Sequence, residues 1–577
     1  MHYRDIYEGW LRDPYIDDAT KHELLGISRN EAEIEDRFFK QLAFGTGGMR
    51  GVRGAGTNRL NIYTVRRATQ GLANHILSQG CEAAQKGVAI AYDSRHMSPE
   101  FAMETALVMC GNNIPAYVFD GLRPTPFLSF AVRHLGCTAG VVITASHNTQ
   151  EYNGYKVYSW DGGQVTYPLD KAIIKEVNAV NDFSQIRILP KDEATAENLY
   201  RMSGPEVDDA YIKAVMGQSL HPEIPLSSPL RIVYTPLHGT GNVPVRRILS
   251  EVGFKHVLCV PEQTEPNGDF PTVPSPNPEK PEAFAMALAM AGDENADLVI
   301  GTDPDCDRMG AFVKAKEGGY VLLTGNMIGL ILTEYILSQR KEKGSLPDNG
   351  AIISTIVSTG MGRRIAKTYG MAYISVLTGF KYIGEKIKEF DQTGQHTFIF
   401  GFEESYGYLA GTHARDKDAV VASMLLCEAA AYYKKHDETL MDVLDRLYIE
   451  YGYFEEAIDT KEFEGAAGQE SIRRTMEDLR ANPPDEIGGV RIVGRRDYLN
   501  DETGLPASDV LHYVMEDSSW LCIRPSGTEP LIKVYYGVHV IPQDKDLQSA
   551  RETAAKRLTA MSQVIVGIIP NPSPVLV

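Results

Sequence analysis

The sequence predicts an α/β chain in which three similar strand-helix-strand rounds precede a last region of different pattern. Short apolar runs bounded by turn residues recur along the chain, and helix-length periodic stretches separate them. After the third round the pattern changes to closely spaced strands and one amphipathic helix. The first round is a strand over 87–92, a helix over 99–109 and a strand over 116–119. The second has strands over 230–234 and 256–260 around a helix over 243–252. The third has strands over 351–353 and 372–376 around a helix near 361–369. The last region has strands over 520–523 and 532–536 and a helix over 546–561. Polar segments near Ser203-Gly204-Pro205 and Lys316-Glu317-Gly318-Gly319 are candidate boundaries.

Composition bounds the function. At 577 residues, 43% hydrophobic and 23% charged, the chain is long enough for several cores and has the make-up of a soluble globular protein. No run reaches transmembrane length, and Met1-His2-Tyr3-Arg4-Asp5 lacks the apolar core of a secretory signal, so a cytoplasmic protein without a membrane partner is expected. Seven scattered cysteines with no Cys-x-x-Cys pair argue for free thiols rather than a disulfide frame or zinc site. Cys306 is the one whose oxidation would matter. A net charge of −19 disfavours nucleic acid and repels anionic substrates, so any phosphate chemistry needs a local positive field.

Four loops carry that chemistry. The apolar run 139–143 reads as a buried strand, and Thr144-Ala145-Ser146-His147-Asn148 follows it, with Asn153-Gly154-Tyr155-Lys156 beyond. Ser146 then emerges where α/β sheets place ligands, with His147, Asn148 and Lys156 able to surround an anion. A plain Ser/Asn turn is the alternative, while a hydrolase elbow would need glycines where Thr144 and Asn148 stand. Asp303-Pro304-Asp305-Cys306-Asp307-Arg308 follows the apolar run 296–302, and its three alternating carboxylates can converge on a hard divalent cation, Mg²⁺ at a phosphate site. An EF-hand would need Gly at Arg308 and Glu at Lys314. An aspartyl-phosphate enzyme using Asp303 would leave the serine motif unexplained, and a solvated acidic turn remains the plain alternative. Gly401-Phe402-Glu403-Glu404-Ser405-Tyr406-Gly407-Tyr408 offers groups that bind sugar hydroxyls. Arg524-Pro525-Ser526-Gly527-Thr528-Glu529-Pro530, with Lys533 beyond, is a phosphate cradle or a surface turn.

Together these loops resemble the α-D-phosphohexomutase superfamily of phosphoglucomutases and phosphomannomutases, in the family's order, from about Phe44 to about Gly537. The length and the form of the 401–407 loop look most like the long phosphoglucomutase/phosphopentomutase branch. The resemblance implies three similar α/β domains with mixed sheets plus a smaller, mobile α+β C-terminal domain around a central cleft, with boundaries at 1–205, 206–318, 319–450 and 451–577. It makes Ser146 the phosphoserine and a metal ligand beside Asp303, Asp305 and Asp307. Glu403 and Ser405 become sugar-hydroxyl readers. Arg524, Ser526, Gly527, Thr528 and Lys533 hold the nonreacting phosphate. Phe44-Gly45-Thr46-Gly47-Gly48-Met49-Arg50-Gly51 is similar to the family's amino-terminal active-site loop, making Arg50 a phosphate or sugar contact. Tyr92-Asp93-Ser94-Arg95 resembles an element that supports the catalytic loop.

The chain departs from short family members, which carry histidines where Tyr406-Gly407-Tyr408 and Thr378-Gly379-Phe380-Lys381-Tyr382 stand. Lys156, Lys381, Arg50 and Lys417 are the remaining candidates for acid/base or phosphate contact. Ala419 replaces a frequent glycine beside Lys417. His147, Arg308, Thr378, Lys381 and Lys417 join the expected substrate-binding set. The implied activity is phosphoglucomutase, interconverting glucose 1-phosphate and glucose 6-phosphate, with Mg²⁺ and glucose 1,6-bisphosphate as activator and intermediate. Phosphopentomutase, phosphomannomutase and a non-catalytic sugar-phosphate-binding regulator are the alternatives.

Overall fold

In the computed structural model the structure describes residues 2–45, 47–463, 465–500, 504–526 and 531–569. The chain forms two compact units, Met1–Ile328 with Phe380–Asp437, and Gly329–Gly379 with Glu438–Val577.

The first unit contains two mixed sheets. One runs in the order Gly48–Val52, Tyr152–Ser159, Ala139–Ile143, Val88–Tyr92, Ala116–Phe119, Tyr200–Ser203. Its last four strands are parallel, while Tyr152–Ser159 pairs antiparallel with both its neighbours. Helices Ile62–Ser78, Ser98–Gly111 and Leu169–Ala179 pack on the face that presents Val88, Ile90, Val141 and Ile143. Helix Thr125–His134 covers the other face, where a Cβ at Gly140 would lie 2.4 Å from Val132 Cγ2. A strand covered on both faces is apolar throughout rather than alternating, and all five residues of Ala139–Ile143 are buried.

The second sheet runs Tyr320–Leu323, Met309–Lys314, Leu298–Thr302, Arg231–Thr235, His256–Cys259. Leu298–Thr302 lies parallel to Arg231–Thr235 and turns back antiparallel into Met309–Lys314, with Thr302 opposite Met309. The aspartate loop is therefore the connection of a hairpin. The segment Lys316–Gly319 lies in the turn of the next hairpin, where Ala315 N–H donates to the Gly319 carbonyl at 3.0 Å. This unit also carries the hairpin Thr397–Glu403 and Gly407–Ala410. Three amino-terminal helices, Tyr3–Arg12, Asp18–Gly26 and Glu31–Phe38, form a small core of Tyr7, Trp10, Ile34 and Phe38 against Tyr63.

The second unit contains the parallel pair Gly350–Thr355 and Ala372–Val376, and an antiparallel sheet of Tyr453–Glu462, Leu531–Val540, Trp520–Pro525, Leu511–Met515, Val490–Asp497 and Glu486–Ile487 in that order. Helix Leu547–Ile568 packs on this sheet and runs beyond the expected end at 561. The α/β expectation with a distinct α+β last region holds.

Candidate active site

Ser146 sits directly after the buried strand Ala139–Ile143, in a turn that places it in the left-handed region at φ 51°. Its backbone N–H donates to Thr144 Oγ1 at 2.8 Å. A left-handed serine needs support, and Arg95 supplies it. The fully buried Arg95 guanidinium donates to four carbonyls of this loop: Ser146 at 2.5 Å, Thr149 at 2.8 Å, Tyr152 at 3.1 Å, and Asn148. Asp93, also fully buried, accepts from the Arg95 backbone N–H at 2.9 Å and from Ser98 Oγ at 2.8 Å, and its Oδ2 lies 3.4 Å from Arg95 Nε. Phe270 lies under the guanidinium, 5.0 Å from ring centroid to Cζ. Asn153 to Lys156 is not loop but strand, and Gly154 is obligatory there. A Cβ at 154 would meet the Thr144 carbonyl oxygen at 2.4 Å.

The serine faces the aspartate hairpin. Ser146 Oγ donates to Asp303 Oδ2 at 2.6 Å and lies 3.3 Å from His147 Nδ1. Asp303, Asp305 and Asp307 are fully buried, and one oxygen from each lies within 4.8 Å of the others. Asp303 Oδ1 accepts the backbone N–H groups of Asp307 and Arg308 at 3.1 and 3.0 Å, which folds the loop around its own first carboxylate. Lys156 Nζ is 2.8 Å from Asp305, and Lys417 Nζ is 2.7 Å from Asp307. Thr125 Oγ1 donates to Asp305 at 2.9 Å.

Burial and then the neighbouring carboxylates raise Asp303 well above the usual range and push Asp307 up. Burial also works to raise Asp305, but the Lys156 ammonium overrides it and holds Asp305 far below the usual range. His147 is driven well below its ordinary value by burial, with Arg308 and Arg50 adding to the effect. It is a neutral hydrogen-bonding group rather than a cation. Asp305 Oδ1 and Asp307 Oδ1 are buried without a hydrogen-bond partner. Two orphaned carboxylate oxygens, beside a third carboxylate within 4.8 Å, fit a hard divalent cation such as Mg²⁺.

The remaining expected residues divide between the units. In the first unit, Arg50 donates to Asn148 Oδ1 at 3.0 Å, reaching the serine loop. Arg308 pairs with Glu279. Backbone contacts tie the Glu403 hairpin to the aspartate hairpin: Arg308 bridges Gly407, and Met309 N–H donates to the Tyr406 carbonyl at 3.1 Å. Glu403 is buried and Ser405 half-buried in that turn. A Cβ at Gly407 would meet Lys417 Cδ at 2.5 Å and Glu403 Oε2 at 3.3 Å, so Glu403 and Lys417 flank one glycine. Lys381 lies in the first turn of helix Phe380–Thr393, its ammonium 5.1 Å from the Tyr382 ring centroid. In the second unit, Thr378 follows the strand Ala372–Val376 and is half-buried. Arg524 stands directly opposite Lys533 across an antiparallel pair, and Ser526 N–H donates to the Leu531 carbonyl at 2.8 Å. Thr46, Gly527 and Thr528 lie outside the described residues.

Sequence reasoning missed several supports. Thr125 anchors Asp305 twice, through its hydroxyl and through its backbone N–H on the Asp305 carbonyl at 2.9 Å. Thr240 donates to the Pro304 carbonyl through its N–H at 2.8 Å and its hydroxyl at 2.9 Å. A Cβ at Gly239 would lie 2.5 Å from Pro304 Cα. The signal for Gly239 and Thr240 was a glycine-containing stretch, Leu237-His238-Gly239-Thr240-Gly241, placed just after a strand. Ser275 Oγ, 3.0 Å from the His147 carbonyl, had no such signal.

Comparison with known proteins now adds to this geometry. Family models described as phosphoglucomutase/phosphomannomutase alpha/beta/alpha domains I, II and III match residues 41–183, 209–318 and 324–451, and the C-terminal domain of the same family matches 464–556. The chain belongs to the phosphoglucomutase/phosphomannomutase family. It is therefore a mutase-type isomerase of the α-D-phosphohexomutase superfamily. A phosphoglucomutase of Staphylococcus haemolyticus is 37% identical over 92% of this chain and 96% of its own length. One from Staphylococcus epidermidis is 38% identical over 92% and 94%. Among solved structures, a phosphoglucomutase/phosphomannomutase family protein from Burkholderia thailandensis superposes with a TM-score of 0.67 at 18% identity, covering 92% of this chain and 99% of its own. The open form of parafusin from Paramecium gives 0.67 at 17%, covering 91% and 94%. These two likenesses concern the fold.

Two predictions follow from the buried charges. Removing Arg95 leaves Asp93 buried without its cation and frees four carbonyls, so Arg95→Met is expected to lose about 3–5 kcal/mol of stability. Urea unfolding measures this, and adding Asp93→Asn should recover part of the loss. In the aspartate cluster, Asp303→Asn removes repulsion while keeping an acceptor for the two backbone N–H groups. In chelator its melting temperature is expected to equal or exceed that of the unmodified protein. Mg²⁺, which should raise the melting temperature of the unmodified protein, should leave the variant unchanged. A clear drop in chelator contradicts the repulsion, and a full Mg²⁺ response contradicts the metal assignment.

Proposed function

We propose that this mutase interconverts glucose 1-phosphate and glucose 6-phosphate through a phosphoserine at Ser146 and a glucose bisphosphate. The observation that carries this reading is the Ser146 hydroxyl held 2.6 Å from one carboxylate of a buried triad in which two other oxygens lack partners. The 36–38% identity to proteins named phosphoglucomutase supports glucose as the sugar.

Asp303, Asp305, Asp307 and the Ser146 side chain would hold Mg²⁺, which when bound neutralises charge on the transferring phosphoryl oxygens. The free hydroxyl of the sugar monophosphate attacks phosphorus. Its oxygen–phosphorus bond forms as the bond to Ser146 Oγ breaks, and the proton lost by the sugar hydroxyl balances the one Oγ regains. The bisphosphate turns end for end, and its other phosphoryl group returns to Ser146. Burial works against the charge on Lys156 and Lys417, yet the adjacent aspartates outweigh it and keep both protonated, suited to stabilising phosphoryl oxygens. Arg50, joined to Asn148, presents a further cation beside the serine. Glu403 and Ser405 read sugar hydroxyls, with His147, Arg308, Thr378 and Lys381 completing the substrate set.

Arg524 and Lys533 serve as the clamp for the nonreacting phosphate, with Ser526, Gly527 and Thr528. Like charges directly opposite on a ladder repel, and a phosphate between them relieves that repulsion. The four family segments correspond in this reading to domains 1–205, 206–318, 319–450 and 451–577.

Ser146→Ala is expected to fold normally and lose turnover by several orders of magnitude. Intact mass should show an added phosphoryl group on part of the unmodified protein and none on the variant, and full activity in the variant would sink the mechanism. Arg524→Ala tests the clamp. Losing a charge-assisted contact is expected to raise the glucose 1-phosphate requirement about 10- to 100-fold, while Ser146 still accepts a phosphoryl group from glucose 1,6-bisphosphate. A normal requirement would show that this loop is not the clamp. A coupled assay across glucose, mannose, ribose and deoxyribose 1-phosphates tests the sugar.

A further inference from the structure

Helices Ile62–Ser78 and Leu169–Ala179 touch closely at Gly71, where a Cβ would lie 2.5 Å from the Val177 backbone. One to two turns earlier, at Arg67 and Thr64, the same helix face lines a pocket of about 420 Å³. Small-molecule sites span roughly 300–1,000 Å³. Its floor is apolar, with Phe44, Met49 and Val177 buried and Leu42 and Ile174 half-buried. Its mouth carries the exposed Gln41, Lys171 and Asn178.

The charges in this pocket are one-sided. Its lining holds two cations, Arg67 and Lys171, and no carboxylate, in a chain of net charge −19. Arg67 is half-buried and makes one hydrogen bond, from Nε to the Val180 carbonyl at 2.9 Å. Among the described residues no acidic side chain pairs with it and no aromatic ring stacks on it. Burial lowers its pKa with no neighbouring charge to oppose the shift. Three other arginines of this unit have counter-ions, Arg37 with Glu23, Arg66 with Glu104 and Arg123 with Asp208, whereas Arg53, bonded to the Gln150 carbonyl, shares with Arg67 the lack of a paired carboxylate. A half-buried guanidinium whose Nη groups bond to no acceptor among the described residues can take a bidentate anion at the pocket, a charge-assisted contact stronger than one to a neutral group.

We propose that this pocket binds a small amphiphilic anion, an apolar body carrying one carboxylate or phosphate, with the anionic end on Arg67 and Lys171 and the body on Phe44, Met49 and Ile174. The site is separate from the sugar-phosphate chemistry. Met49 pairs in register with Tyr155, and strand alternation sends the next residue, Arg50, to the opposite face of the sheet. The proposal therefore stands or falls independently of the proposed activity.

Calorimetric titration of the full chain with octanoate and with octyl phosphate tests it, in glucose 1,6-bisphosphate so that the catalytic loops are engaged. Saturable one-to-one binding is expected for at least one probe, and the two arms distinguish carboxylate from phosphate. 1-Octanol, which lacks the charge, and inorganic phosphate, which lacks the body, should each bind at least about 10-fold more weakly. Arg67→Met should weaken the preferred probe about 10- to 100-fold. Asn178→Trp, a change at an exposed rim position that spares the core, should block it even if Arg67→Met does not fold. Absence of saturable binding, equal binding of octanol, or full binding to the Asn178→Trp protein would overturn the proposal.

Discussion

Three buried carboxyl groups with oxygens within 4.8 Å of one another ionise only at a cost: two unit charges at that distance repel by about 3 kcal/mol at an effective dielectric constant near 20. Much of the first unit is arranged to contain that repulsion. Lys156 comes from one sheet and Lys417 from the segment after the Glu403 hairpin. Thr125 comes from a helix start, and the backbone N–H groups of Asp307 and Arg308 come from the loop itself. Distant parts of the chain are held together because each neutralises or hydrogen-bonds one corner of the same cluster.

A second constraint is conformational. The serine loop holds a left-handed residue at its centre, and four carbonyl acceptors converge on Arg95. A planar guanidinium satisfies several acceptors at fixed directions, which a lysine cannot do. Arg95 is thus a structural replacement for the backbone ladder that the turn forfeits when it leaves the sheet.

The legible parts of the sequence were those where one local pattern decides the outcome. Residues 139–143 are apolar because both faces are covered, and the aspartates alternate because their loop is short. Helix ends at Ser98–Gly111 and Asn242–Val252 lie within two residues of expectation. Strand Tyr152–Ser159 was not legible, because Asn153 and Gly154 are poor strand formers: Gly154 is present for close backbone approach to Thr144, and Asn153 for its bonds to the His96 carbonyl and Ser98 Oγ. The amino-terminal helices went unread because their packing partners, Tyr63 and Phe183, lie far away in sequence. Thr125 was invisible for the same reason: its partner, Asp305, is brought to it only by the fold.

The bridge between Arg308 and Gly407, with the Met309 to Tyr406 hydrogen bond beside it, makes the aspartate and glutamate hairpins one piece of backbone. A distance set by a β-bridge behaves like a fixed gauge: it does not stretch to suit a longer or shorter molecule. On the proposed reading of Glu403 and Ser405 as sugar contacts, variation in what such a gauge accepts comes from exchanging side chains along the 403–405 turn, whereas an insertion in either loop would uncouple the two hairpins. On this scaffold a changed preference is therefore a matter of substitution at a few positions rather than of loop length.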